Sequence, residues 1–187
     1  MTLGAVVLVL AGAPVVAVWA DHNLPYKHFR TVEKGKFYRS SQLSAADLAE
    51  VIDEYGIKTI VNFRSTEENA RDPRVAREKE VAAGRGIRHV DVPCPAGVPP
   101  TAEQVEAILK IWDDPASRPI LVHCEHGSIR SAAAEGLWRR EYMGEDGREA
   151  YERVTTWGRN LDRDYPDIAA FIRQYVPRRD RSASSSR

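Results

Sequence analysis

The sequence predicts an α/β domain: a central, mostly parallel sheet of about four or five strands, flanked by helices. Three observations carry this expectation. Short β-branched runs recur at residues 57–63, 87–92 and 119–123. Each follows a helical pattern closed by glycine or by a proline-containing turn, and strands that alternate with helices make a parallel sheet covered on both faces. The 187 residues with 43% apolar content suffice for one buried core and are too few for two large ones.

Residues 1–20 contain no charged side chain and are rich in Val, Leu and Ala. At ~1.5 Å per residue they are long enough to cross a ~30 Å hydrocarbon layer. Two readings compete: an uncleaved single-pass anchor, or a secretory signal peptide cut after Val18-Trp19-Ala20, which would leave a secreted or periplasmic domain. The anchor is favoured because no Lys or Arg precedes the apolar run, as the first region of a signal peptide requires. Lys27, Arg30, Lys34 and Lys36 follow the segment and argue for a domain on the cytoplasmic side.

Residues 26–177 have the composition of an α/β domain, and 178–187 are short, polar and Ser-rich, which predicts a disordered tail. Ser44 is a good N-cap for a helix carrying Leu48, Val51 and Ile52, with Gly56 ending it. Thr101 opens a helix through Val105, Ile108 and Leu109; Asp146 with Glu149 forms a capping-box pattern before Tyr151. Pro166 introduces a last helix on which Ile168, Phe171, Ile172 and Tyr175 recur at helical spacing. These apolar stripes read as core. Trp112, Trp138 and Trp157 read as helical packing residues, and the charged run Arg71 to Lys79 as a solvated helix face.

Basic and acidic residues number 27 each, so no broad positive surface argues for nucleic acid. Cys94 and Cys124 are not spaced like a zinc site and make no disulfide framework, so no metal is expected.

The informative segment is Ile120-Leu-Val-His-Cys-Glu-His-Gly-Ser-Ile-Arg-Ser131, where a buried-strand pattern runs into a cysteine, five residues and an arginine, followed by an Ala-rich helix. A loop leaving a parallel strand and entering a helix aims successive backbone N–H groups at one point, and the helix start adds roughly half a positive charge. Such a nest, formed by Glu125, His126, Gly127, Ser128, Ile129 and Arg130, suits a phosphate dianion. The same field lowers the Cys124 pKa from ~8.5 and makes the sulfur a nucleophile. Gly127 lets the backbone curl, and Arg130 supplies a planar fork for two phosphate oxygens that lysine cannot reproduce. Ser131 is positioned to donate its hydroxyl to the departing sulfur, and His123 to orient the loop.

His123-Cys124-x5-Arg130-Ser131 resembles the signature loop of the protein tyrosine phosphatase superfamily, particularly its compact dual-specificity branch. Phe37-Tyr-Arg-Ser-Ser-Gln42, a helix, and then Ile57-Lys-Thr-Ile-Val-Asn-Phe-Arg64 are similar to the opening of bacterial members. The resemblance implies a dual-specificity phosphatase-like fold and hydrolysis of phosphate monoesters through a Cys124 phosphocysteine, with a phosphorylated protein, phosphotyrosine favoured, as substrate and no cofactor. It also implies a general-acid aspartate on a separate loop. There the sequence reads Val90-Asp-Val-Pro-Cys-Pro-Ala-Gly-Val-Pro-Pro-Thr101, and its only carboxylate, Asp91, lies earlier than the family pattern suggests. Asp91 therefore has two readings, catalytic acid or strand-end hydrogen-bonding residue, with Glu125 or His126 as substitutes or no protein acid at all. Without a positioned acid, aryl phosphates are the expected substrates.

Cys94 reads as an inert thiol between prolines or as a redox partner of Cys124. Arg39 and Arg64 are expected in buried salt bridges, with Glu67 and Glu68 as possible partners. Two rival functions remain. A phosphoinositide or inositol-phosphate phosphatase would gather lysines in its loop, where this chain has Glu125 and Ser128, and a catalytically inactive phosphate-binding module would keep the loop without the acid. A rhodanese-like sulfurtransferase is disfavoured, because its cysteine loop is usually shorter.

Overall fold

The computed structural model describes residues 26–184. Five strands form one sheet: β1 (Arg30–Glu33), β2 (Phe37–Ser40), β3 (Thr59–Asn62), β4 (Arg88–Asp91) and β5 (Ile120–His123). Their order is β1-β2-β5-β3-β4, with β1 antiparallel to β2 and the remaining pairs parallel. The site-bearing strand β5 is thus central, as its four buried residues require of a strand covered on both faces.

Alternation along the strands sorts the core into two layers. Tyr38, Ile60 and Leu121 pack with Leu48, Val51 and Ile52 of α1 (Ala45–Tyr55) and with Ala82, which a later helix on that face supplies. Phe37, Val61, Ile120 and Val122 face the opposite layer, which includes Trp112 and Trp138. The short helix α2 (Thr66–Arg71) and then α3 (Pro73–Gly84), the source of Ala82, lead to β4. Helix α4 (Ala102–Asp113) leads to β5, and α5 (Arg130–Trp138), buried along its whole length, leaves the loop that follows β5. A π-helical turn (Arg139–Met143) is followed by α6 (Gly147–Arg153), α7 (Leu161–Asp164), α8 (Pro166–Gln174) and α9 (Arg178–Ser184).

The expected caps form. Ser44 accepts from the Asp47 N–H and Gly56 closes α1 in the left-handed region. Thr101 and Gln104 make a full capping box, Asp146 accepts from the Glu149 N–H, and Pro166 opens α8.

Four expectations need correction. Residues Arg178–Ser184 of the tail are helical rather than disordered, because Arg178 bonds Asp113 and Glu141 and pins the chain to the domain. Trp157 lies in a turn rather than on a helix, partly exposed and stacked on His28. The Arg71 to Lys79 face is not wholly solvated, since Val75 and Glu78 are buried. The expected single-pass membrane location is also corrected: among the described residues no helix is long and apolar enough to cross a membrane. Residues 1–20, on which the anchor or signal reading rests, lie outside the described residues.

Candidate active site

Strand β5 delivers His123 and then Cys124 to the carboxyl edge of the sheet, and α5 begins at Arg130. The intervening loop returns against β2: Gly127 has φ +67°, and a Cβ there would lie 2.6 Å from the Ser41 nitrogen and 2.8 Å from the Ser40 carbonyl. Only glycine fits this curl. Arg39, wholly buried on β2, donates to the Gly127 carbonyl at 2.5 Å and to Glu135 of α5 at 2.6 Å.

Cys124 is 2% exposed. Its sulfur accepts from the Gly127 N–H at 3.2 Å and from the Ser131 hydroxyl at 3.2 Å. Burial pushes the thiol up, but these bonds, the Ser131 amide and the Arg130 charge outweigh it, so the Cys124 pKa lies below that of an ordinary thiol. Cys94, on the neighbouring loop, is the contrast: burial pushes its thiol up to about 11, and it contributes its carbonyl to Arg130 at 3.2 Å.

Both terminal nitrogens of Arg130 are held by Glu68, with Nη2 donating to Oε1 at 2.8 Å and Nη1 to Oε2; Nη1 also donates to the Phe63 carbonyl at 3.2 Å. The Arg130 hydrogen bond, acting against partial burial, brings the Glu68 carboxyl down to about 2. Glu68 is a partner the sequence offered to Arg39 or Arg64 and the fold assigns to Arg130. Arg64 bonds Asp72 at 2.7 Å and Gln42 at 3.0 Å instead, and Arg39 takes Glu135, so both are buried salt-bridge residues as expected.

His123 is anchored from below. Its Nε2 donates to Glu78 Oε1 at 3.0 Å, the same oxygen accepts from His89 Nε2 at 2.7 Å, and Gln42 donates to Oε2 at 2.5 Å. Burial works against a charged imidazole, yet the Glu78 carboxylate outweighs it and lifts His123 above the usual histidine value. Glu78, His89 and His123 are also the group of metal-type donors among the described residues whose ligand atoms lie within 4.8 Å of one another. Their mutual hydrogen bonds account for that clustering.

The cavity above Cys124 measures about 410 Å³. Glu125, His126, Ser128, Ile129 and Arg130 line it from the loop, with Glu68, Ala96, Gly97, Arg159 and Tyr165 from elsewhere. Asp91 is not among the lining residues: it accepts from Asn62 at 2.9 Å and from Lys79 at 2.6 Å at the end of β4. That is the structural one of its two readings. The loop after β4 presents Ala96 and Gly97 to the cavity where the family pattern implies an acid, leaving Glu68 and Glu125 as the lining carboxylates.

Strand, Cys124–Arg130 loop and helix in this order form the arrangement expected of the dual-specificity branch of the protein tyrosine phosphatase superfamily. The chain belongs to the family described as DSP-PTPase phosphatase fused to NAD+ kinase, whose model matches residues 16–164. It is 33% identical over 128 residues, 67% of its length, to the probable chloroplastic NAD kinase 2 of Oryza sativa subsp. japonica, of which it covers 12%. It is 24% identical over 136 residues to the dual specificity protein phosphatase TpbA of Pseudomonas aeruginosa, covering 73% of this chain and 57% of that protein. The chain thus spans about a tenth of the plant relative and just over half of the bacterial one. Among solved structures, the core catalytic domain of the PP-IP phosphatase Siw14 from S. cerevisiae aligns over 87% of this chain and 94% of that one, at TM-score 0.62 and 20% identity. TpbA in complex with pTyr aligns over 79% and 83%, at TM-score 0.60 and 22% identity. At these identities the structural matches speak for the fold.

Proposed function

We propose that the chain hydrolyses phosphate monoesters through a phosphocysteine on Cys124, with aryl phosphates of the phosphotyrosine type as its favoured substrates. The observation that carries this reading is the buried Cys124 sulfur, held below the ordinary thiol pKa by Ser131, Arg130 and the loop amides.

The sulfur attacks phosphorus, the ester P–O bond breaks, and its electron pair leaves with the phenolate. Water then attacks the phosphocysteine, the S–P bond breaks, and inorganic phosphate departs. Ser131 stabilises the returning thiolate through its 3.2 Å hydrogen bond. Arg130 offers a guanidinium with five N–H donors; Glu68 and the carbonyls of Phe63 and Cys94 engage one edge, which orients the rest toward the loop.

The preference for aryl esters follows from a loop after β4 that brings no aspartate to the cavity. A positioned acid is worth ~10²–10⁴-fold, and a phenolate leaves without one far more readily than an alkoxide. Glu68 cannot serve, since its carboxyl stays ionised above about 2. Ile129, Tyr165 and Ala96 line the cavity and give it apolar surface suited to a phenyl ring. The TpbA complex with pTyr supports the same substrate chemistry.

The test is release of p-nitrophenol from p-nitrophenyl phosphate by the purified protein and by Cys124→Ser. Turnover by the parent and none by the variant is expected; equal rates, or none in either, would reject the reading.

A further inference from the structure

Three successive carbonyls of the phosphate-binding loop are held by donors in and around β1 and β2. The Gln42 N–H donates to the Glu125 carbonyl at 3.1 Å, His28 Nδ1 to the His126 carbonyl at 2.6 Å, and Arg39 to the Gly127 carbonyl at 2.5 Å. The Ser128 hydroxyl also reaches the His126 carbonyl, at 3.3 Å. His28 sits in the left-handed region at φ +54°, and its ring stacks on Trp157, also at φ +54°, with centroids 4.6 Å apart and planes within 7°. A residue as bulky as Trp is rarely found there, and such strain persists where the surroundings fix a position. The position fixed is the backbone of His126.

The His126 side chain is the opposite case. It lines the cavity above Cys124, it is 63% exposed, and among the described residues its ring makes no hydrogen bond. Its ionic partner is Glu125: Nδ1 lies 3.7 Å from Oε2, too far for a hydrogen bond and close enough for an ion pair once the ring carries a second proton. Nε2 is left unengaged.

Hydrolysis of a phosphocysteine needs a group that takes a proton from the attacking water, and the cavity lining offers few. Cys124 is itself esterified at that stage, Arg130 and Arg159 are cations, and Glu68, brought down to about 2 by Arg130, is a poor base. Asp91 lies outside the lining. Imidazole, which changes charge between roughly pH 5 and 8, is the side chain best matched to the task.

We propose that His126 is a catalytic residue, the general base of the second step. This rests on the phosphatase reading above, which supplies the phosphocysteine. Water attacks phosphorus while Nε2 takes one of its protons; the S–P bond breaks, its electron pair returns to Cys124 as thiolate, and hydrogen phosphate departs. The imidazolium pairs with Glu125 and gives its proton to bulk water. Glu125 and His28 are positioning residues, one acting on the ring and the other on the carbonyl behind it. The first step needs no such group, because a phenolate departs unprotonated, so the preference for aryl esters stands.

The experiment is stopped-flow and steady-state hydrolysis of p-nitrophenyl phosphate by the parent, His126→Ala, Glu125→Gln and Cys124→Ser. Since kcat/KM covers only the steps up to p-nitrophenolate release, it should stay within about twofold in His126→Ala while kcat falls about 100-fold. His126→Ala should then show a burst of about one p-nitrophenolate per enzyme, acid-quenched protein should carry the mass of a phosphocysteine, and added imidazole should restore part of kcat. Glu125→Gln should lower kcat about threefold. A kcat and kcat/KM that fall together in His126→Ala would make the residue structural and overturn the proposal. A larger kcat loss in Glu125→Gln than in His126→Ala would overturn it too, by moving the base to that carboxylate. No turnover by the parent, or turnover that survives Cys124→Ser, rejects the phosphocysteine and the base with it. Cys124-dependent turnover with kcat unmoved in His126→Ala sinks the base alone. An unchanged Tm in His126→Ala, expected of a side chain this exposed, excludes unfolding as the cause.

Discussion

Replacing Gly127 with alanine puts a methyl group 2.6 Å from the Ser41 nitrogen, where ordinary contact begins near 3.4 Å, in a residue whose φ is +67°. The left-handed conformation alone costs a side-chain-bearing residue about 1–2 kcal/mol. Overpacking against backbone adds about 1–3 kcal/mol, because β2 cannot swing away as a side chain would. The Gly127 peptide unit must therefore move by the better part of an ångström. Two catalytic supports move with it, the N–H that donates to the Cys124 sulfur and the carbonyl that Arg39 holds. A misplacement of about 1 Å costs roughly 10²-fold in rate, so kcat/KM on p-nitrophenyl phosphate should fall about 100-fold. The summed strain corresponds to a Tm lowered by about 5–15 °C for a domain of this size. Steady-state kinetics and calorimetric melting measure the two effects on the same preparation. Activity within threefold of the parent at an unchanged Tm would refute the account of how the loop is shaped.

Three further outcomes follow from the same geometry. The Cys124 pKa is lowered in the fold, so thiolate persists below the ~8.5 of free cysteine. Iodoacetamide alkylation of Cys124 should hold its rate as pH falls from 8.5, declining only through the lowered pKa; a rate midpoint near 8.5 would contradict this. Asp91→Asn removes a partly exposed ion pair with Lys79, so activity on p-nitrophenyl phosphate and on an alkyl phosphate should change equally and by less than about twofold. A larger loss on the alkyl ester would restore Asp91 as the acid. Glu68→Gln loosens the guanidinium that Glu68 grips with both oxygens, and kcat/KM should fall about tenfold with most of the loss in KM; an unchanged KM would show that Arg130 needs no such support.

The strand, the loop carrying Cys124 and Arg130 and the helix that follows were legible in sequence because they are local: strand, loop and helix start occupy one uninterrupted stretch. The caps at Ser44 and Thr101 were legible for the same reason. The supports of the site were not. Glu78 sits among alternating charges on α3, and nothing within nine residues of it tells that β4 and β5 bring His89 and His123 onto one of its oxygens. Glu68 completes a capping box with Ser65 and reads as a helix start, yet the same carboxylate also reaches Arg130, 62 residues away. Arg159, from the turn between α6 and α7, and Tyr165, between α7 and α8, reach the cavity from a segment that the His28–Trp157 stack, joining residues 129 positions apart, ties to the start of the domain. One signal was available: Glu135, the carboxylate that follows three alanines and precedes Gly136 in α5, announces a buried cation.

Two buried polar networks converge on the loop, and stability does not explain them. Arg39 and Glu135 are both fully buried, and desolvating such a pair commonly cancels its Coulombic gain. What the pair supplies is position, because Arg39 spans from Glu135 to the Gly127 carbonyl. The Gln42–Glu78–His123 chain does the same beneath Cys124. Replacing the pair together, Arg39→Met with Glu135→Leu, should therefore leave Tm within a few degrees, since Arg139 keeps Glu145 at 2.9 Å. Turnover should nevertheless drop by tenfold or more, as the Gly127 carbonyl loses its donor. Removing Arg39 alone takes away the cation on Glu135 Oε2, leaving the buried carboxylate Arg139 at 2.8 Å and Arg30 at 3.5 Å on its other oxygen, and should lower Tm further than the double replacement. If the double variant melted as low as the single one, the pair would be a source of stability after all, and the division between what holds the fold and what shapes the loop would fail.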